Sequence, residues 1–132
     1  MLSRTAEHAL RGVLYLARAN GGGRLTAARI AEELAVPANY MAKTLNRLAR
    51  AGVVTSTRGP RGGFALAVPA DELTLADVVG AFDRLDGPDM CMLNGEACGE
   101  AEPCAAHRQW ERITGDVHRV FRDTTIADLL GS

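Results

Sequence analysis

The stretch from Thr26 to Ala67 constrains the fold of this chain more than any other. Ile30, Ala31 and Leu34 recur at helical spacing after Thr26, whose hydroxyl suits an N-cap, so a short helix is predicted from about Thr26 or Ala27 to Leu34. Ala35-Val36-Pro37 follows. Pro37 fits the first turn of a second helix, where its missing N–H costs nothing, and that helix runs through Asn39, Tyr40, Met41, Leu45 and Leu48 to Ala51 before Gly52 stops it. Two short helices joined by so tight a turn have the helix-turn-helix layout. Val53–Thr57 is then rich in β-branched residues, and Phe64–Ala67 partly alternates. The basic run Arg58-Gly59-Pro60-Arg61-Gly62-Gly63 between them is too short to be anything but a hairpin tip. A helix-turn-helix followed by a two-stranded hairpin with a cationic tip predicts a winged helix.

The flanks read as helical. Ala6, Ala9, Leu10, Val13, Leu14, Leu16 and Ala17 form a broad apolar stripe over Ser3–Ala19, ended by Asn20-Gly21-Gly22-Gly23. Beyond the wing, Thr74 with Asp77 three residues on opens a helix expected through Val78, Val79, Ala81 and Phe82 and closed by Gly87-Pro88. Residues 88–103 read as an irregular loop. A long helix from about Pro103 to Phe121 carries Trp110, Ile113, Val117, Val120 and Phe121 on one stripe, and Thr124 or Thr125 caps a last short helix ending in Leu129-Leu130. The expected fold is mainly α with a small β-hairpin wing: a winged helix-turn-helix over residues 1–70, then a cysteine-containing sensor loop and a long C-terminal dimerisation helix over residues 71–132. The long stripe has little core of its own to cover, so a second copy is expected to bury it; the alternative is packing back on the first helix. A two-fold dimer would set two recognition helices roughly 34 Å apart and match a pseudo-palindromic site in double-stranded DNA.

Composition bounds the remaining classes. A chain of 132 residues with 47% hydrophobic and 23% charged residues is expected to fold. It has no apolar run of membrane-spanning length, and its first residues do not look like a secretory signal, which leaves the cytoplasm as the expected location. Net charge is only −1, but it is split. Residues 1–65 hold ten Arg or Lys against three acidic residues, giving +7, while residues 66–132 hold five Arg against thirteen acidic residues, giving −8. A polyanion is drawn to the first half alone. No glycine-rich phosphate loop or polar cluster suited to acid–base work is present, and Cys104 with His107 is the single conceivable nucleophile–base pair, so no enzyme is expected.

For DNA, the N-terminal part of the recognition helix presents Ala38, Asn39 and Tyr40, with Lys43 and Arg47 one and two turns later. Asn pairs bidentately with adenine, and Lys and Arg address guanine or phosphate. Tyr40 either joins them or packs against the second helix. Arg58 and Arg61 at a glycine-rich tip suit a narrow, electronegative minor groove.

The chain resembles the IscR/NsrR/CymR-type family of winged-helix regulators over nearly its whole length. The residues carrying the likeness are Leu2-Ser3, Glu7–Arg11, Ile30–Leu34 with Tyr40, Leu45–Gly52, Arg58–Phe64, Thr74–Val79 and the clustered cysteines. The resemblance implies a homodimeric regulator, usually a repressor, whose DNA affinity follows a small signal. Some members sense redox state, nitric oxide or iron–sulfur status through a [2Fe–2S] or [4Fe–4S] cluster. Others carry none and answer to a metabolite, a partner enzyme or thiol oxidation.

Cys91, Cys98 and Cys104 are spaced Cys-x6-Cys-x5-Cys, and His107 follows Cys104 by about one helical turn. An odd number of cysteines argues against a disulfide framework, and thiolates are the soft ligands that iron–sulfur clusters take. The resemblance implies a [2Fe–2S] cluster completed by His107, the favoured form, or a [4Fe–4S] cluster completed by Glu7 from a second subunit. His8 adjoins Glu7 as a further option, and Glu7 also stands i,i+4 from Arg11 as an ordinary ion pair. The spacing between the first two cysteines is longer than is usual in the cluster-bearing members. Zinc held by three cysteines and a histidine, or a cluster-free thiol switch, are the alternatives.

Overall fold

The computed structural model describes residues 2–19, 23–83 and 107–131. It is mainly helical with a two-stranded antiparallel hairpin. Helix α1 (Arg4–Arg18) begins at Ser3, whose hydroxyl accepts the Ala6 N–H, and its buried stripe of Ala6, Ala9, Gly12, Val13, Leu16 and Ala17 follows the apolar spacing. Helix α2 (Ala27–Leu34) starts at Thr26, which accepts the Arg29 N–H at 3.1 Å. It ends in a left-handed residue, Ala35 at φ 57°, ψ 46°. That single residue reverses the chain into α3 (Ala38–Arg50), with Pro37 just outside the first turn.

Strands β1 (Val54–Thr57) and β2 (Gly63–Leu66) pair in register from Val54 with Leu66 to Thr57 with Gly63. Leu25 adds one bridge to the free edge of β2, exchanging both backbone hydrogen bonds with Phe64 at 3.0 and 2.7 Å. The wing is therefore bonded directly to the segment leading into α2. Its tip closes through Gly62 N–H donating to Gly59, with Pro60 at the position where its fixed φ favours a turn.

Helix α4 (Leu75–Val79) is shorter than the apolar pattern predicts. Gly80 ends it, and Ala81, Phe82 and Asp83 turn back onto the carbonyls of Val78 and Val79 rather than extending the helix. Gly87-Pro88, the expected stop, lies outside the described residues. Helix α5 spans His107–Asp123, and the start expected near Pro103 also lies outside them. Helix α5 packs mainly against α4, and α6 (Ile126–Leu130) then returns to α1.

Two segments repeat one another: Thr74-Leu75-Ala76-Asp77-Val78-Val79-Gly80 and Thr125-Ile126-Ala127-Asp128-Leu129-Leu130-Gly131. Each forms a one-turn helix with a full capping box, in which Thr accepts from the Asp backbone and the Asp carboxylate accepts from the Thr backbone. The two caps face each other across an antiparallel bridge, with Leu75 N–H donating to Thr124 at 3.0 Å and Ile126 N–H donating to Leu73 at 2.7 Å. One buried core results. It joins Ala9, Val13 and Leu16 of α1, Ile30 of α2, Met41, Leu45 and Leu48 of α3, Phe64 of the wing, Leu73 and Val78 around α4, and Ile126 of α6.

Candidate nucleic-acid interface

The buried stripe of α3, Met41, Thr44, Leu45 and Leu48, turns the opposite face to solvent. That face carries Asn39, Lys43, Asn46, Arg47 and Arg50, set at helical spacing along the side away from the core. At the helix start the Asn39 side-chain carbonyl accepts the Tyr40 N–H at 3.0 Å, leaving the amide NH2 free to donate. Arg58 and Arg61 stand exposed at the wing tip. Gly62 lets this tip close, because a Cβ there would collide with the Thr57 carbonyl.

Tyr40 is hydrogen-bonded to α1. Its hydroxyl lies 3.0 Å from His8 Nδ1 and donates to Thr5 Oγ1 at 3.3 Å, and the His8 and Tyr40 rings meet edge to face at 5.5 Å. The tyrosine thus locks the first turn of α3 to α1. Glu7, one residue earlier on α1, is exposed and forms a 2.8 Å ion pair with Arg11. On α2, a hydrogen bond to Tyr15, with the nearby Glu32 carboxylate, raises the Arg29 pKa above the usual arginine value.

Between α1, α3 and the turn after α4 lies a cleft of about 450 Å³ lined by Thr5, Tyr40, Lys43, Arg47, Arg50 and Phe82, among others. The Arg47 guanidinium sits over the Phe82 ring, 5.0 Å from its centroid. Lys43, Arg47 and Arg50 put three cations on the lining of this cleft, so its local potential favours negative charge. Arg50 is legible in the sequence, since it follows Lys43 and Arg47 at helical spacing. Thr5 and Phe82 are not, because only the tertiary fold brings them to α3.

The sensor residues fall differently. Cys91, Cys98 and Cys104 lie outside the described residues, and His107 is the first residue of α5. Among the described residues no group of three or more His, Cys, Asp or Glu could hold a metal ion. No helix among them is long and apolar enough to cross a membrane.

Comparison with known proteins agrees with this geometry. Residues 2–132 match the Rrf2 family, described as an iron-dependent transcriptional regulator. An HTH-type transcriptional regulator of Aquifex aeolicus is 35% identical, the match covering 98% of this chain and 91% of that protein. One from Neisseria meningitidis serogroup A is 33% identical over 98% of this chain and 86% of its own. Among solved structures, CymR, the global cysteine regulator of B. subtilis, superposes with a TM-score of 0.80 at 28% identity, covering 98% of this chain and 95% of that one. The oxidised form of Staphylococcus aureus CymR gives 0.77 at 30% identity, covering 98% and 94%. T. potens IscR shares the fold, with a TM-score of 0.77 at 22% identity over 99% of this chain and 86% of its own. The chain belongs to the Rrf2 family of winged-helix transcriptional regulators and is a DNA-binding regulator rather than an enzyme.

Proposed function

We propose that this protein is a homodimeric repressor of the cytoplasm. Residues 1–70 read a pseudo-palindromic duplex, and residues 71–132 sense a signal and hold the dimer. The observation that carries the DNA reading is the pairing of one polar row on α3, Asn39, Lys43 and Arg47, with the arginine-bearing wing tip, Arg58 and Arg61. The polar row suits base edges and phosphates in the major groove, and the tip suits a minor groove. Tyr40 contributes by fixing the helix start against α1, its hydroxyl shared with His8 and Thr5.

For the signal, the likeness to the CymR cysteine regulators favours a cluster-free response, by thiol oxidation or a bound metabolite. Oxidation of two of the three thiols would tie parts of residues 91–104 together and so alter the segment between α4 and α5. A second reading is supported by the donor set and by the family's description as iron-dependent. Three thiolates with one imidazole or carboxylate are the soft, mixed donors that an iron–sulfur cluster takes. Cys91, Cys98 and Cys104 would hold it, completed by His107 for [2Fe–2S] or by Glu7 of a second copy for [4Fe–4S]. The cluster would supply redox and nitric-oxide reactivity. Glu7 would first have to give up its Arg11 ion pair, a small cost at the exposure of both groups.

Anaerobic purification with iron and sulfide analysis, followed by duplex titrations of the reduced and oxidised protein, tests both readings. Protein free of iron and sulfide whose affinity changes on thiol oxidation supports the first. Stoichiometric iron and sulfide supports the second. Equal affinity in every state sinks a sensing role for the cysteines.

A further inference from the structure

Arg47 lies on the solvent side of α3, yet its guanidinium is not left to solvent alone, because it lies over the Phe82 ring. The segment that carries the ring is itself held in place. Phe82 N–H and Asp83 N–H both donate to the Val79 carbonyl, at 3.0 and 2.9 Å, and the Asp83 carboxylate accepts the Ser3 N–H at 2.9 Å, at the cap of α1. Ring and guanidinium share the cleft with Lys43, Arg50 and Thr5. A guanidinium drawn to a ring face by a cation–π contact still has five N–H donors, and those turned away from the ring are the ones that grip a phosphate bidentately. A long arginine with no such support has its rotamers frozen only when DNA binds, at a cost in affinity.

We propose that Phe82 is a positioning residue for DNA binding: its ring holds the Arg47 guanidinium in the cleft beside the recognition helix, so that a backbone phosphate meets an arginine already in place. This rests on the reading of the chain as a DNA-binding regulator and adds a residue from outside the winged-helix head to the interface. The pair also joins α3 to the last described residues before the cysteine segment.

The test uses the full-length protein, a duplex selected by the wild-type chain from a random-sequence pool, and a scrambled duplex of the same composition at one fixed salt concentration. Phe82→Leu is expected to weaken binding of the selected duplex about 3- to 10-fold. Phe82→Trp, which keeps an aromatic face, is expected to bind like the wild type. In an Arg47→Gln background, Phe82→Leu is expected to add no further loss, a result that a general loosening of the fold would not give. An unchanged affinity for Phe82→Leu, or the same loss in both backgrounds, overturns the proposal. Should Phe82→Leu fail to fold by thermal melting, Arg47→Lys serves instead: it keeps the charge without the planar face, and must weaken binding about 3- to 10-fold. Wild-type affinity for Arg47→Lys overturns the proposal. In each of these outcomes a wild-type protein that prefers the selected duplex and loses it on Arg58→Ala/Arg61→Ala leaves the regulator reading standing. A wild-type protein that selects no duplex removes both.

Discussion

Ala35 adopts a left-handed conformation that costs a residue with a Cβ roughly 1–2 kcal/mol, and it does so at the turn that sets the angle between α2 and α3. The cost is offset because its N–H satisfies carbonyls at the end of α2 and Val36 N–H reaches Ala31 at 3.0 Å. Ala35→Gly should therefore leave stability within about 1 kcal/mol, since strain relief and added chain entropy oppose each other. Ala35→Val, with a β-branched side chain, should lose about 1–3 kcal/mol, read as a lower midpoint in urea unfolding. Gly63 is stricter. At φ 141° a Cβ would stand 2.6 Å from the Leu25 carbonyl oxygen, so Gly63→Ala should break the bridge between the wing and Leu25 and weaken DNA binding more than it lowers stability. Local residue chemistry foretells the caps at Thr26 and Thr74, because a cap needs only neighbours three residues away. It cannot foretell the Tyr40–His8 or Arg47–Phe82 pairs, whose partners are brought together by the core and not by spacing along one element.

Helices α4 and α6 are each too short to persist alone, a single turn of five residues. They persist because each has a complete capping box and because the residues flanking the two caps are hydrogen-bonded across the bridge, Leu75 to Thr124 and Ile126 to Leu73. Leu75, Val78 and Ile126 then anchor them in the core beside α1. Through this joint the far end of α5 is bound to the DNA-binding head. Thr125→Ala should cost about 1 kcal/mol, and Thr74→Ala a similar amount. The double variant should depart from the sum of the two, because the caps touch, and calorimetry of the set would measure that coupling. Independent, strictly additive losses would mean that the bridge between the caps contributes nothing of its own. Thr74 is readable as an N-cap from sequence, whereas the last helix is expected to be capped by Thr124 or Thr125 and the structure uses Thr125. The wing and the three helices of the head are readable too, since each has its own periodicity and stop signals. The early end of α4 is harder to read: Ala81 and Phe82 continue the apolar pattern past Gly80, and only the tertiary structure uses them to turn the chain rather than to lengthen the helix.

At the scale of the whole molecule, α5 carries the two most exposed large hydrophobic side chains among the described residues. Phe121 packs on the core and Val117 is half-buried, but Ile113 and Val120 remain 51% and 54% exposed. They lie seven residues apart, two turns along one face, on a helix that touches the head mainly through α4. A second copy laid along this stripe would remove both from water, a gain of about 1.5–3 kcal/mol for each side chain fully buried. Joining two heads would also make engagement of the second half-site intramolecular, which raises affinity for a palindromic duplex well beyond that of one head. Replacing Ile113 and Val120 together by Glu puts like charges across a two-fold stripe and should leave the helix formed, because both positions face solvent in the single chain. The expected result is a folded monomer by sedimentation, with the affinity of one half-site for DNA and a smaller slope of log affinity against log salt concentration. Removing Arg58 and Arg61 should instead leave the dimer intact and lower that slope by about 0.9 for each phosphate the two arginines neutralise. A doubly substituted α5 that still sediments as a dimer would place the interface on another face. A monomer that bound the palindromic duplex as tightly as the wild type would show that one head suffices, and the exposed stripe would then have no part in reading DNA.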